Sequence, residues 1–139
     1  MKKTTLLFVL IILLLLLSAC SSIPSGYVSK EEHFEQGGFQ DYTDYAKYIY
    51  ESSSAFENNG DYLTVSGTDI TIIKEYTDHF KDWMSIDNRL HEYDFDDSCI
   101  TIGDYYRLKI KYEDNPLSDY TLWFFDTETY TLYYFHNNT

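Results

Sequence analysis

The chain has 139 residues and a formal net charge of −13, with 23 acidic side chains against 10 basic ones. Such acidity repels nucleic-acid phosphates and anionic lipid headgroups, which sets aside nucleic-acid binding and a domain lying flat on a charged bilayer. Aromatic residues make up 19% of the chain, far above the aromatic-poor composition of disordered acidic tails, and the length suits one core rather than two.

Lys2 and Lys3 precede an unbroken apolar run from Leu6 to Leu17, 12 residues long. A helix rising ~1.5 Å per residue needs ~20 apolar residues to cross the hydrocarbon core, so the run is too short to span. A positive start, a short apolar centre and small residues after it form a secretory leader. Where an ordinary leader ends at an A-x-A-like site, Leu17-Ser18-Ala19 leads directly into Cys20. This stretch resembles the lipobox of bacterial lipoproteins. The resemblance implies cleavage before Cys20, a diacylglyceryl group on its thiol with acyl chains such as palmitate, and tethering at the outer surface of a bacterial cell membrane. Two acyl chains anchor a protein stably, whereas one holds it only marginally.

The expected organisation is therefore a leader at 1–19, the lipidated Cys and a flexible tether at 20–38, and one domain at 39–139. The leader takes Lys2 and Lys3 with it and no acidic residue, so the remaining chain is more acidic still. Residues 21–38 are polar and carry Pro24, Gly26, Gly37 and Gly38; as a coil they would span ~23 Å. With Cys20 lipidated, Cys99 has no partner for a disulfide and reads as a small buried residue.

From Phe39 the apolar spacing changes. Phe39, Tyr42, Ala46, Ile49, Ser53 and Phe56 fall on one face of a predicted helix, closed by Asn58-Asn59-Gly60. A short extended piece, Tyr62 to Val65, leads to a second predicted helix. Ser66-Gly67-Thr68-Asp69 fits a capping box, Val65 and Ile70 a hydrophobic staple, and Ile73, Tyr76, Phe80 and Trp83 repeat at helical spacing. The β-branched run at 70–73 also fits a strand. After a polar stretch, Tyr106, Leu108, Ile110 and Tyr112 alternate with Tyr105, Arg107, Lys109 and Lys111, as in a half-buried strand. A turn at Asn115-Pro116 and two further strands, at 120–126 and 129–136, complete an antiparallel meander. The expected fold class is α+β: two helices followed by a small antiparallel meander of three to four strands, with both helices on one sheet face. The closing FFDTETYTLYYFHNN gives the domain a general resemblance to small lipoproteins of low-GC Gram-positive bacteria, which implies no activity.

Catalytic and cofactor motifs fail on spacing, so neither catalytic residues nor a cofactor is expected. His91-Glu92 lacks a second His four residues after the first, and His33, His79, His91 and His136 show no ligand spacing. A calcium loop starting at Asp94 would need Gly and Glu where Cys99 and Tyr105 stand. Only a looser cation site at Asp94, Asp96 and Asp97 is left. The candidate binding face is Arg107, Lys109, Lys111, Trp123 and Phe125. The three cations share one side of a strand, and the neighbouring strand adds aromatic rings; the plainer alternative is that these cations balance nearby acids and stack on rings.

These features fit a lipid-anchored, non-catalytic binding module for a protein, peptide or glycan. Two other readings stay open. One is a protective lipoprotein of the immunity or exclusion type, whose acidity would suit a basic target. The other is an enzyme, which would need a cleft where His79, His91 and Asp side chains converge.

Overall fold

A computed structural model of the chain describes residues 23–35 and 41–139; the predicted leader, Cys20 and Phe39 lie outside the described residues. Six strands are present, β1 (Ser29–His33), β2 (Tyr42–Ile49), β3 (Leu63–Thr64), β4 (Tyr105–Ile110), β5 (Asp119–Asp126) and β6 (Thr131–Asn138). They form a single antiparallel sheet in the order β1-β2-β6-β5-β4-β3. The helices are α1 (Ser54–Glu57) and α2 (Gly67–Ile86), with 3-10 turns at Leu90–Glu92 and Asp97–Cys99.

This sheet-rich fold with one main helix corrects the expectation of two helices followed by a three- to four-strand meander. The predicted meander is present as β4-β5-β6, but it forms only half of the sheet. The first predicted helix is mostly β2. That strand lies between β1 and β6 and is covered on both sides: Tyr45 is buried on one face, Ala46 and Tyr48 on the other. A strand buried on both faces loses its polar–apolar alternation, so its apolar residues can be fitted to a helical period. Only the end of the predicted helix survives, as the four residues of α1.

Part of the span read as a tether, Ser29–His33, is the strand β1. Ser29 to His33 pair with Ile49 to Tyr45 of β2. Lys30, Glu31 and Glu32 are exposed on this edge strand, where charge discourages pairing with another chain.

The second predicted helix is α2. The Ser66 backbone N–H donates to Asp69 Oδ2 at 2.8 Å, so the N3 side of the capping box is made. At the other end Asn88 takes φ 57°. Arg89 N–H bonds to the Met84 carbonyl at 2.7 Å and Asn88 N–H to Ser85 at 3.1 Å, a Schellman ending. Between them Ile73, Tyr76, Phe80 and Met84 pack on the sheet with Tyr45, Tyr120, Leu122, Phe124 and Phe135.

The opposite face has a smaller core of its own. Phe56 of α1 stacks on Phe125 with ring centroids 3.8 Å apart, and Tyr48, Tyr50, Tyr62 and Leu132 close around them. The two helices thus cover opposite faces. Burying Phe56 stabilises the fold by roughly 1.5–3 kcal/mol from area alone, and its removal leaves a cavity as well. Phe56→Ala is expected to lower the unfolding free energy in urea by about 3–5 kcal/mol, and a loss below 1 kcal/mol would show that α1 is not a structural cover.

Candidate functional site

Residues paired directly across neighbouring strands share a sheet face, so register sorts the α1 face into rows. In the first, Tyr105, Phe125, Leu132 and Tyr48 are paired in turn across β4, β5, β6 and β2. The next row is Arg107, Trp123, Tyr134 and Ala46, followed by Lys109, Thr121, His136 and Asp44. Beyond these lie Asp119, Asn138 and Tyr42, with Lys111 against Asp119. Successive rows are ~6.8 Å apart along the strands. The face therefore passes from an aromatic core under α1 to a polar, uncovered end.

All five residues of the predicted binding face lie on this face, but they divide between its two halves. Phe125 is fully buried and Trp123 is 4% exposed, so neither belongs to an open platform. The physical reason is α1, which places Phe56 on Phe125. Arg107 marks the border: its guanidinium lies 5.0 Å from the centroid of the Trp123 ring and 3.6 Å from Asp61. Lys109 is exposed and makes no ion pair among the described residues. Lys111 Nζ donates to Asp119 Oδ2 at 2.7 Å, which raises the lysine's pKa.

Past that border the last two rows enclose a groove of about 350 Å³ with Tyr42, Lys109, Lys111, Asp119, Thr121, His136 and Asn138 on its walls. His136 stands between two carboxylates, Nδ1 3.8 Å from Asp44 and Nε2 3.8 Å from Asp119. Burial lowers the His136 pKa against the opposing pull of these acids. Burial raises the Asp44 pKa, partly offset by the backbone N–H of Glu35, which donates to Oδ1 at 2.9 Å. The edge of Tyr42 meets the His136 ring at 5.1 Å between centroids. With two lysines, one of them paired with the Asp119 carboxylate, and a hydroxyl, an amide, an imidazole and an aromatic wall, the groove offers both donors and acceptors to a hydroxyl-rich or singly charged ligand.

Sequence reasoning named Lys109 and Lys111 but missed Tyr42, Asp44, Asp119, Thr121, His136 and Asn138. Their signal was a strand assignment for residues 42–49, which would have put Tyr42 and Asp44 on one side of the sheet with His136.

The other candidates are dispersed. Asp94 binds Lys47 and accepts Tyr45 Oη–H at 2.7 Å; burial pushes its pKa up, but these partners hold it below the usual value. Asp96 accepts the Ser98 N–H at 2.9 Å, and Asp97 pairs with Lys74 at 3.2 Å. The three therefore do not converge, and no group of three His, Cys, Asp or Glu residues among the described ones could hold a metal ion. His79 lies against Tyr120 and Trp83, whereas His91 is exposed on its 3-10 turn. Burial pushes the Cys99 thiol up to about 12, so it stays protonated. Cys20 lies outside the described residues, and no described helix is long and apolar enough to cross a membrane.

His136 and His79 both have pKa values lowered by burial. The unfolded chain therefore binds their protons first as pH falls through about 6.5, and stability drops below that point. Tm should decline between pH 7.5 and 5.5, and the decline should shrink in the double variant His79→Gln/His136→Gln. An undiminished slope in that variant would rule the histidines out as its source. No protein-family model, curated protein or solved structure matches the chain, so the chemistry of the groove has to be read from its own residues.

Proposed function

We propose that the protein is a bacterial lipoprotein, held at the outer surface of the cell membrane by a diacylglyceryl group on Cys20. Its domain is a non-catalytic binding module for a protein, peptide or glycan. The groove at the uncovered end of the α1 face carries this reading. α2 covers the other face, α1 stops short, and Tyr42, Lys109, Lys111, Asp119, Thr121, His136 and Asn138 are left around one concavity. Lys111 is paired with Asp119, so Lys109 is the cation that a negative or strongly hydrogen-bonding group of a ligand would meet, with Thr121, His136 and Asn138 beside it. The half-buried Tyr42 ring offers a face to an apolar group or a sugar.

The non-catalytic reading draws on how the reactive groups are used. Cys99 is held as a thiol, His79 is committed to Tyr120 and Trp83, and the three acids at 94–97 are tied to separate partners.

A photo-crosslinker at position 121, in lipidated protein on intact cells, tests the binding site. It should trap a discrete partner, and Lys109→Glu/Lys111→Glu should cut the yield by tenfold or more while Lys81→Glu leaves it unchanged. Equal yields from both variants would remove the groove as the binding site.

A further inference from the structure

We propose that the end of the sheet opposite the groove is a membrane-docking surface, seating the domain directly on the bilayer that holds Cys20. The proposal rests on the lipid-anchor reading of Cys20 and concerns what the domain does once anchored.

The residues that were to form a long tether are largely used by the fold. Ile23 packs against the α1-face core, and the Pro24 carbonyl accepts Tyr50 Oη–H at 2.7 Å. Gly26 turns the chain at φ 101°, a conformation that favours glycine. Tyr27 then lies edge-on to Tyr48, with centroids 5.2 Å apart, and Val28 N–H bonds to the Ile49 carbonyl at 2.7 Å. From Cys20 to Ile23 the chain advances three residues, at most ~11 Å even if fully extended. A lipid on Cys20 therefore brings this end of the domain to the headgroup region.

That end also has the composition of an interface. Val28 is 60% exposed, Ile49 43%, Tyr27 40% and Tyr130 39%. They are neighbours through the backbone, because Val28 bonds to Ile49 and Tyr50 N–H bonds to the Tyr130 carbonyl at 2.9 Å. Tyrosine suits the boundary between headgroups and acyl chains, with its ring in the apolar layer and its hydroxyl in water. The tether supplies a high local concentration, so even a small apolar contact can be occupied. Glu51 and Glu128 are exposed beside this end and the rest of the surface is acidic as well, so the contact is with the apolar layer rather than with anionic headgroups.

The direction of the groove follows. β2 runs from Tyr42 at the groove to Ile49 at the docking end, and Tyr42 lies eight residues from Tyr50, about 25 Å along the strand. With one end on the bilayer, the groove is held at the far end of the sheet, away from the headgroups.

The test uses the lipidated protein in a Cys99→Ser background, with environment-sensitive fluorophores on Val28→Cys, Ile49→Cys, Lys109→Cys and Glu113→Cys. The vesicles contain phosphatidylcholine and phosphatidylglycerol with a lipid-borne quencher. Probes at 28 and 49 should shift to the blue and be quenched several-fold more than those at 109 and 113. Intact mass measured on the same samples reports the lipid on Cys20. A chain without lipid would overturn the anchor reading and the docking with it. A lipidated chain whose four probes are equally wet, or quenched in the reverse order, would overturn the docking alone.

Discussion

The two-sided burial of β5 and β6 governs the rest of the structure. Leu122, Phe124 and Phe135 on one face and Trp123, Phe125 and Leu132 on the other are all buried, so the sheet needs two covers. α2, with 20 residues, supplies the first. The second is assembled from α1, Tyr62 and the segment around Ile23. A four-residue helix turns once, rising ~6 Å, which is less than a third of the length of an eight-residue strand. Half of the face consequently stays uncovered, and Lys111, Asp119, His136 and Asp44 there are paired with one another. The groove is the part of the sheet that the second cover does not reach.

Two charged side chains, one buried and one half-buried, hold the irregular segments in place for this arrangement. Asp104 is fully buried and accepts from the backbone N–H and hydroxyl of Thr101 and of Thr127. It thereby ties the loop before β4 to the turn between β5 and β6. Arg89, just past α2, donates to the carbonyls of Thr43 and His33 at 2.7 and 3.0 Å and to Glu92 at 2.8 Å. It joins the end of the helix to the ends of β1 and β2. Hydrogen bonds to a charged group contribute more than neutral ones, and satisfied backbone partners remove the penalty of burying the charge. Arg89 also fixes the beginning of β2, from which Tyr42 lines the groove and Asp44 meets His136.

Legibility in the sequence followed the local nature of each signal. α2 could be read because its capping residues and apolar stripe are contiguous, and β4 because Tyr106, Leu108 and Ile110 alternate with Arg107, Lys109 and Lys111. β2 was misread because covers on both faces erase alternation, and β1 because an edge strand of Ser, Lys, Glu and His has no apolar signal. Lys109 and Lys111 were legible as a pair on one side of a strand. Trp123 and Phe125 were placed on the correct face, but Phe56, 67 and 69 positions earlier, decides that they are buried. The acidic and imidazole side of the groove depends on strand order: Asp44 meets His136 only because β2 pairs with β6.

The same pairing relates the two ends of the molecule. β2 and β6 are antiparallel from Tyr42↔Asn138 to Ile49↔Thr131, so the polar ends of both strands lie together and their aromatic ends lie together. The N-terminal segment joins the aromatic end because that is where Tyr48 and Tyr50 can receive Tyr27 and Pro24. Any lipid attached a few residues upstream is thereby placed at the covered end, remote from the groove. Had that segment run along the open half instead, Ile23 and Tyr27 would have filled the groove. One packing choice, the aromatic end over the polar one, therefore completes the second core, leaves the groove open and sets its distance from Ile23.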